Sequence, residues 1–139
     1  MIRSGRNPHE VALLAAAFVL GLAGLTAFGQ VATTTVRALP DPFGHVLYGG
    51  LAVGALVSLV GVFLAGYIGP LLERAGLIGL ALLCAGYAVT ILGLFGGRGL
   101  SFALFMLAFA AANLVRARQI GRELDEMQAV EVLVRGDRS

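Results

Sequence analysis

Four stretches of this chain, residues 11–29, 46–68, 75–95 and 100–115, contain no Asp, Glu, Lys, Arg or His. An α-helix rises 1.5 Å per residue, so roughly 20 apolar residues cross about 30 Å of hydrocarbon. The first three stretches reach that length. The fourth does so by running on to Arg116 and Arg118, whose long side chains can snorkel to the headgroups. The expected fold class is therefore all-α: an integral membrane four-helix transmembrane bundle with a short cytoplasmic C-terminal helical extension. The spans are expected at about residues 9–29, 46–68, 73–95 and 99–118. A cytoplasmic N-terminus (1–10) precedes the membrane domain (11–118), and an amphipathic, charged tail (119–139) follows it.

The choice of lipid as solvent rests on area. Of 139 residues, 58% are hydrophobic and 13% are charged, against about 25% charged in an ordinary soluble domain. A small soluble fold keeps a large share of its surface in water and could not hide this much apolar area. The net charge of +2 and the absence of a basic stripe give no reason to expect nucleic acid as a partner. Cys84 is the only cysteine, so no internal disulfide can form; in its apolar run it reads as a small packing residue.

Local signals mark the helix ends. Asn7-Pro8-His9-Glu10 reads as a start, with Asn7 as N-cap, Pro8 at the first helical position and Glu10 reaching back toward the cap. Residues 39–44 (LPDPFG) form a turn before the second span. Gly69-Pro70 is expected to break the second helix and to leave Glu73 in the first turn of the third. The Gly96-Gly97-Arg98-Gly99 stretch is a tight connection, and Gly136 is a stop for the last helix.

Arginine placement sets the orientation. Four spans put both termini and the loop at Arg74 on one side, with Arg3, Arg6, Arg74, Arg116, Arg118 and Arg122 at that interface. The other side holds only Arg37 and Arg98. The positive-inside rule then places both ends in the cytoplasm of a bacterial cell, as a multi-pass protein of the inner membrane. Phe28, Phe43 and Tyr48 are expected in the outer aromatic belt and Tyr67 in the inner one. A competing reading takes Arg3, Arg6 and the first apolar run as a signal peptide cut before Gln30, although that run exceeds the usual 7–15 residues.

Helices in lipid associate through close packing of small residues. The second span offers Gly50, Gly54, Ser58, Gly61, Ala65 and Gly69 on about a third of its circumference. The third offers Gly76, Gly79, Gly86, Thr90, Gly93 and Gly97, and the first Ala17, Gly21 and Gly24. These faces serve either packing within one bundle or self-association. On the fourth span Phe102, Phe105 and Phe109 recur on one face as lipid-facing or bundle-packing residues, and Ile120, Leu124 and Met127 continue an apolar edge into the tail.

No catalytic, cofactor or metal set is expected. His9-Glu10 opens like a metalloprotease motif, but the second His position is Leu13. The glycines near Gly97 lack the lysine of a P-loop. Ser58, Thr90 and Ser101 have no His or acid nearby in sequence to activate them. Ion and proton pathways need charges within the spans; here Ser58, Tyr87, Thr90 and Asn113 are the notable polar groups at depth, and they are expected to bond across helices or to backbone.

Four patterns together resemble small four-span membrane proteins encoded by actinobacterial phages. They are Asn7-Pro8-His9-Glu10, Leu39-Pro40, Leu72-Glu73-Arg74-Ala75-Gly76 and Arg116-Ala117-Arg118-Gln119-Ile120. Members of that group are uncharacterised, and some are holin-like. The resemblance implies a self-assembling protein that permeabilises the membrane, and no site residues carry over from it. The alternative is a non-lytic accessory or exclusion protein that binds another membrane protein. The partners expected are the lipid bilayer and either a homo-oligomer or another membrane protein.

Overall fold

In a computed structural model of the chain, residues 8–136 are described, and side chains are described to Ala129. Helix dominates and no strand occurs among the described residues. Four long helices, α1 (Pro8–Thr26), α4 (Phe43–Phe63), α5 (Ile68–Phe95) and α6 (Leu100–Gly136), are joined by two single-turn helices, α2 (Phe28–Val31) and α3 (Thr34–Arg37), and by a 3₁₀ turn at Gly96–Gly99. Three helical stretches are long and apolar enough to cross a membrane: Pro8–Thr26, Phe43–Phe63 and the continuous run Ile68–Ala129. That last run turns back on itself at Gly96–Gly99, where Gly96 has φ +54°. α5 and α6 then pack along each other as an antiparallel pair.

Packing follows chain order. α1 lies on α4, α4 on α5 and α5 on α6, whereas α1 and α6 stand apart along most of their lengths. Large apolar side chains such as Leu82, Val89 and Phe105 point outward, so the outer surface is as greasy as the core. A helix apolar all round belongs in lipid or deep inside a large protein.

Close approach sets the α1–α4 and α4–α5 spacing. A Cβ on Gly21 would strike the backbone of Ala52 and Tyr48, and one on Gly24 would strike the Tyr48 ring. At α4–α5, Gly61 faces the backbone of Glu73 and Gly69, and Gly76 faces Ser58 and the Gly54 carbonyl. Gly54 and Gly50 meet the side chains of Leu80 and Leu83. Ser58 is fully buried, and its hydroxyl donates to the Gly54 carbonyl (2.9 Å) in its own helix.

Several boundaries differ from those expected. α4 ends at Phe63 rather than near Ile68, and the break is the link 64–67, where Gly66 takes φ +87°. Gly69-Pro70 lies in the first turn of α5, where the missing proline N–H costs no helical bond. Glu73 is consequently one turn further into α5, and Ala65 leaves the helix seam for the exposed link. α1 stops at Thr26 rather than residue 29. Tyr48 is buried against Gly24 rather than placed in an aromatic belt, because glycine opens a slot there that the ring fills. The expected cap residue Asn7 lies outside the described residues.

The connection between α1 and α4 folds down as a small cap. Thr33 N-caps α3 by accepting from Val36 N–H (3.4 Å), and Ala32, Val36 and Leu39 are buried beneath it. Arg37 donates through Nε to the Ala32 carbonyl (2.9 Å) and through its terminal nitrogen to the Gly29 carbonyl. Phe28 stacks on His45 (centroids 4.4 Å) and meets Tyr48 edge-on (5.9 Å). The cap closes the bundle end opposite Glu73.

Candidate functional site: a charged crevice between the first and last helices

Helical geometry brings three distant charges to one end of the bundle. Glu10 sits in the first turn of α1, and Glu73 in the second turn of α5. Arg116 comes down α6 from the turn at Gly96–Gly99 toward the same end, and its long side chain reaches Glu73. The Arg116 guanidinium lies 3.2 Å from Glu10 through Nε, 3.5 Å from Glu73 and 3.9 Å from Glu123. Glu73 is 6% exposed. An ion at that depth persists only where partners replace its lost water. The Arg116 Nε–H is buried and not aimed at any acceptor among the described residues, so its attraction to Glu10 acts through charge rather than an aligned hydrogen bond.

Above this cluster a crevice separates α1 from α6. Its lower part, about 110 Å³, is bounded by Glu10, Leu14, Glu73, Leu77, Asn113 and Arg116. Its upper part, about 170 Å³, is wholly apolar and runs among Ala17, Leu20, Leu51, Cys84, Phe105 and Met106. Leu13 and Phe109 border both parts, so the two form one groove. Either part far exceeds the roughly 10–15 Å³ that one water needs. Asn113, 7% exposed, lies on the lower wall, and its amide nitrogen has no acceptor among the described residues.

The residues expected at the membrane interface divide three ways. Arg116 turns inward to the carboxylates instead of snorkelling outward, because Glu10 and Glu73 offer it charge partners inside the bundle. Arg74 extends over Gly121 at the same end, and Arg118 and Arg122 are exposed. Arg3 and Arg6 lie outside the described residues. Of the residues expected on packing faces, Gly50, Gly54, Ser58 and Gly61 lie between α4 and α5. Gly79, Gly86 and Gly93 face open space, and on α5 the close approach runs through Gly69 and Gly76 instead. Thr90 donates to the Gly86 carbonyl (2.9 Å) within its own helix. Phe105 is exposed, whereas Phe102 and Phe109 are half-buried.

Sequence reasoning missed the meeting of Glu10, Glu73 and Arg116. The available signal was one charge at the same end of three different apolar stretches. Among the described residues no group of His, Cys, Asp and Glu could hold a metal ion. No family model, curated protein or solved structure matches the chain.

Proposed function

We propose that this chain is a four-span integral membrane protein of a bacterial cell membrane, with both termini cytoplasmic, that acts as a non-lytic accessory to another membrane protein. The fold-back at Gly96–Gly99 supports two crossings within Ile68–Ala129, each of adequate length. The inward-facing cluster of Glu10, Glu73 and Arg116 falls at the end that carries Arg74, Arg118 and Arg122. That is the arginine-rich side which the positive-inside rule assigns to the cytoplasm.

One observation favours the accessory role over a pore. Close helix approaches at Gly21, Gly61 and Gly76 are already taken up within one chain. The outward surfaces of the candidate spans are apolar and offer no face to line a water-filled channel. Strong induced expression in bacteria should therefore leave the membrane potential intact, as followed with a voltage-sensitive dye. Abrupt collapse of the potential would sink this reading.

A second reading, holin-like self-assembly, is favoured by the ridge of Gly79, Gly86 and Gly93. These are spaced seven residues apart on the exposed side of α5 with nothing against them, and small residues permit close helix approach in lipid. Gly86→Ile should abolish crosslinked oligomers in native membranes if that ridge is an interface. Unchanged crosslinking removes it.

A further inference from the structure

Charge at the Glu73 end of the bundle is sorted by helix face. At about 100° per residue, Arg116 and Glu123 fall within about 20° of each other on α6. That side faces the carboxylates, with Glu10, Glu73 and Glu123 all gathered on the Arg116 guanidinium. Arg118, Gly121 and Arg122 lie about 120–160° round the helix from it. There the guanidinium of Arg74, reaching over from α5, lies across Gly121, 3.2–3.4 Å from where a Cβ would stand. Arg118, three residues before Gly121, is its surface neighbour at about 5–6 Å. Two guanidiniums thus share one spot on the outer edge of the α5–α6 contact, with Arg122 flanking them. All three arginines are exposed, and none forms an ion pair among the described residues. Like charges held this close repel one another, and an anion between them removes that cost.

The surroundings select the kind of anion. One turn above Arg118 on α6, toward the membrane centre, stands Leu114, 40% exposed. One turn above Arg74 on α5 stands the half-buried Ile78. A free phosphate would use the guanidiniums and leave this apolar strip uncovered, whereas a phospholipid uses both. The planar fork of arginine presents paired N–H donors that match phosphate oxygens. A headgroup ending in an ammonium would set that cation beside Arg122, so a headgroup without one is favoured. Asp125 and Glu126 come about 10 and 12 Å beyond Arg118 along α6, on the cytoplasmic side of that level.

We propose that Arg74 and Arg118 bind the phosphate of one anionic phospholipid at the outer edge of the α5–α6 contact. Its acyl chain lies along Leu114 and Ile78, and Gly121 supplies the flat bed that holds Arg74 in place. The inference rests on the membrane reading and goes beyond it by naming a ligand and its two contacts.

The test uses the full chain in nanodiscs containing equal amounts of phosphatidylglycerol and phosphatidylethanolamine, released into mild detergent and weighed by native mass spectrometry. One phosphatidylglycerol should remain per chain, roughly five-fold or more over phosphatidylethanolamine. Arg74→Gln and Arg118→Gln alter exposed side chains only, and each should lower that retention several-fold. Gly121→Leu keeps every charge but fills the bed under Arg74, and it should act in the same direction. Arg98→Gln removes an equal charge at the opposite end and should leave retention unchanged. Equal retention of both lipids, preference for phosphatidylethanolamine, or retention that survives Arg74→Gln would overturn the proposal. So would an equal loss in Arg98→Gln, which would reduce the effect to net charge. Alkaline extraction of the same membranes separates the two failures. A chain stripped into the wash defeats the membrane reading itself, whereas an embedded chain without the lipid defeats only this inference.

Discussion

Glu73 and Arg116 lie 43 residues apart in the chain, and their side chains meet at 3.5 Å at the open end of the α5–α6 pair. The guanidinium that reaches Glu73 from α6 also reaches Glu10 on α1. One side chain thus ties together three helices, including the two that otherwise stand apart.

Removing that cation should cost more than removing one of its partners. Arg116→Gln leaves the buried Glu73 without this ion pair, and breaking a buried pair costs roughly 3–5 kcal/mol. Arg116 is partly exposed, so the loss should fall toward the lower end. The double variant Arg116→Gln, Glu73→Gln should recover part of the stability, because it replaces a charge by a neutral amide. Reversible unfolding in mixed micelles measures both; equal stability of single and double variants would contradict the role given to Glu73.

Glycines that look alike in sequence should separate sharply on substitution. Gly61→Ala forces a methyl into the backbone of α5, which must move as a whole, at about 1–3 kcal/mol or more. Gly54→Ala crowds the Leu80 side chain and only touches the Gly76 carbonyl at ordinary contact distance, so its cost is smaller. Gly86→Ala meets nothing and should be neutral or slightly stabilising, since alanine is the better helix former. The rank order is read from unfolding midpoints in detergent, and a destabilised Gly86→Ala would show that something covers that face.

The lower part of α6 is fastened to the α4–α5 link by a hydrogen bond from Gln128 Nε2 to the Tyr67 hydroxyl (2.7 Å). The pair is exposed, so Tyr67→Phe should cost no more than about 1 kcal/mol. Its visible effect should be local: faster amide exchange near residues 124–129 with the bundle unchanged. Uniform acceleration across all helices would mean that the bond holds more than this end.

Accessibility labelling tests the proposed topology. Cys84 is fully buried and should stay unlabelled by a membrane-impermeant maleimide in intact cells. Thr34→Cys, on the exposed side of α3, should label from outside, and Ala65→Cys in the link before α5 only after permeabilisation. The reverse pattern would invert the molecule in the bilayer.

That the chain is helical, with helices long and apolar enough to cross a membrane, and roughly where those helices lie, was readable from residue order alone. Hydropathy and length add up residue by residue, and a stretch such as residues 46–68 needs no partner to declare itself apolar. Boundaries were less legible: Gly69-Pro70 looked like the break, but Gly66 supplies the positive φ that ends α4's path, and proline is accepted in a first turn. Which face of each helix looks inward was decided only by the tertiary structure. Where core and surroundings are equally apolar, hydropathy marks no inward side, so Gly76 and Gly79 could not be told apart until α4 packed against one of them. The charged cluster belongs to the same class of fact. Glu10, Glu73 and Arg116 each read as an ordinary helix-end residue, and their chemistry arises from a three-dimensional meeting that no local pattern encodes.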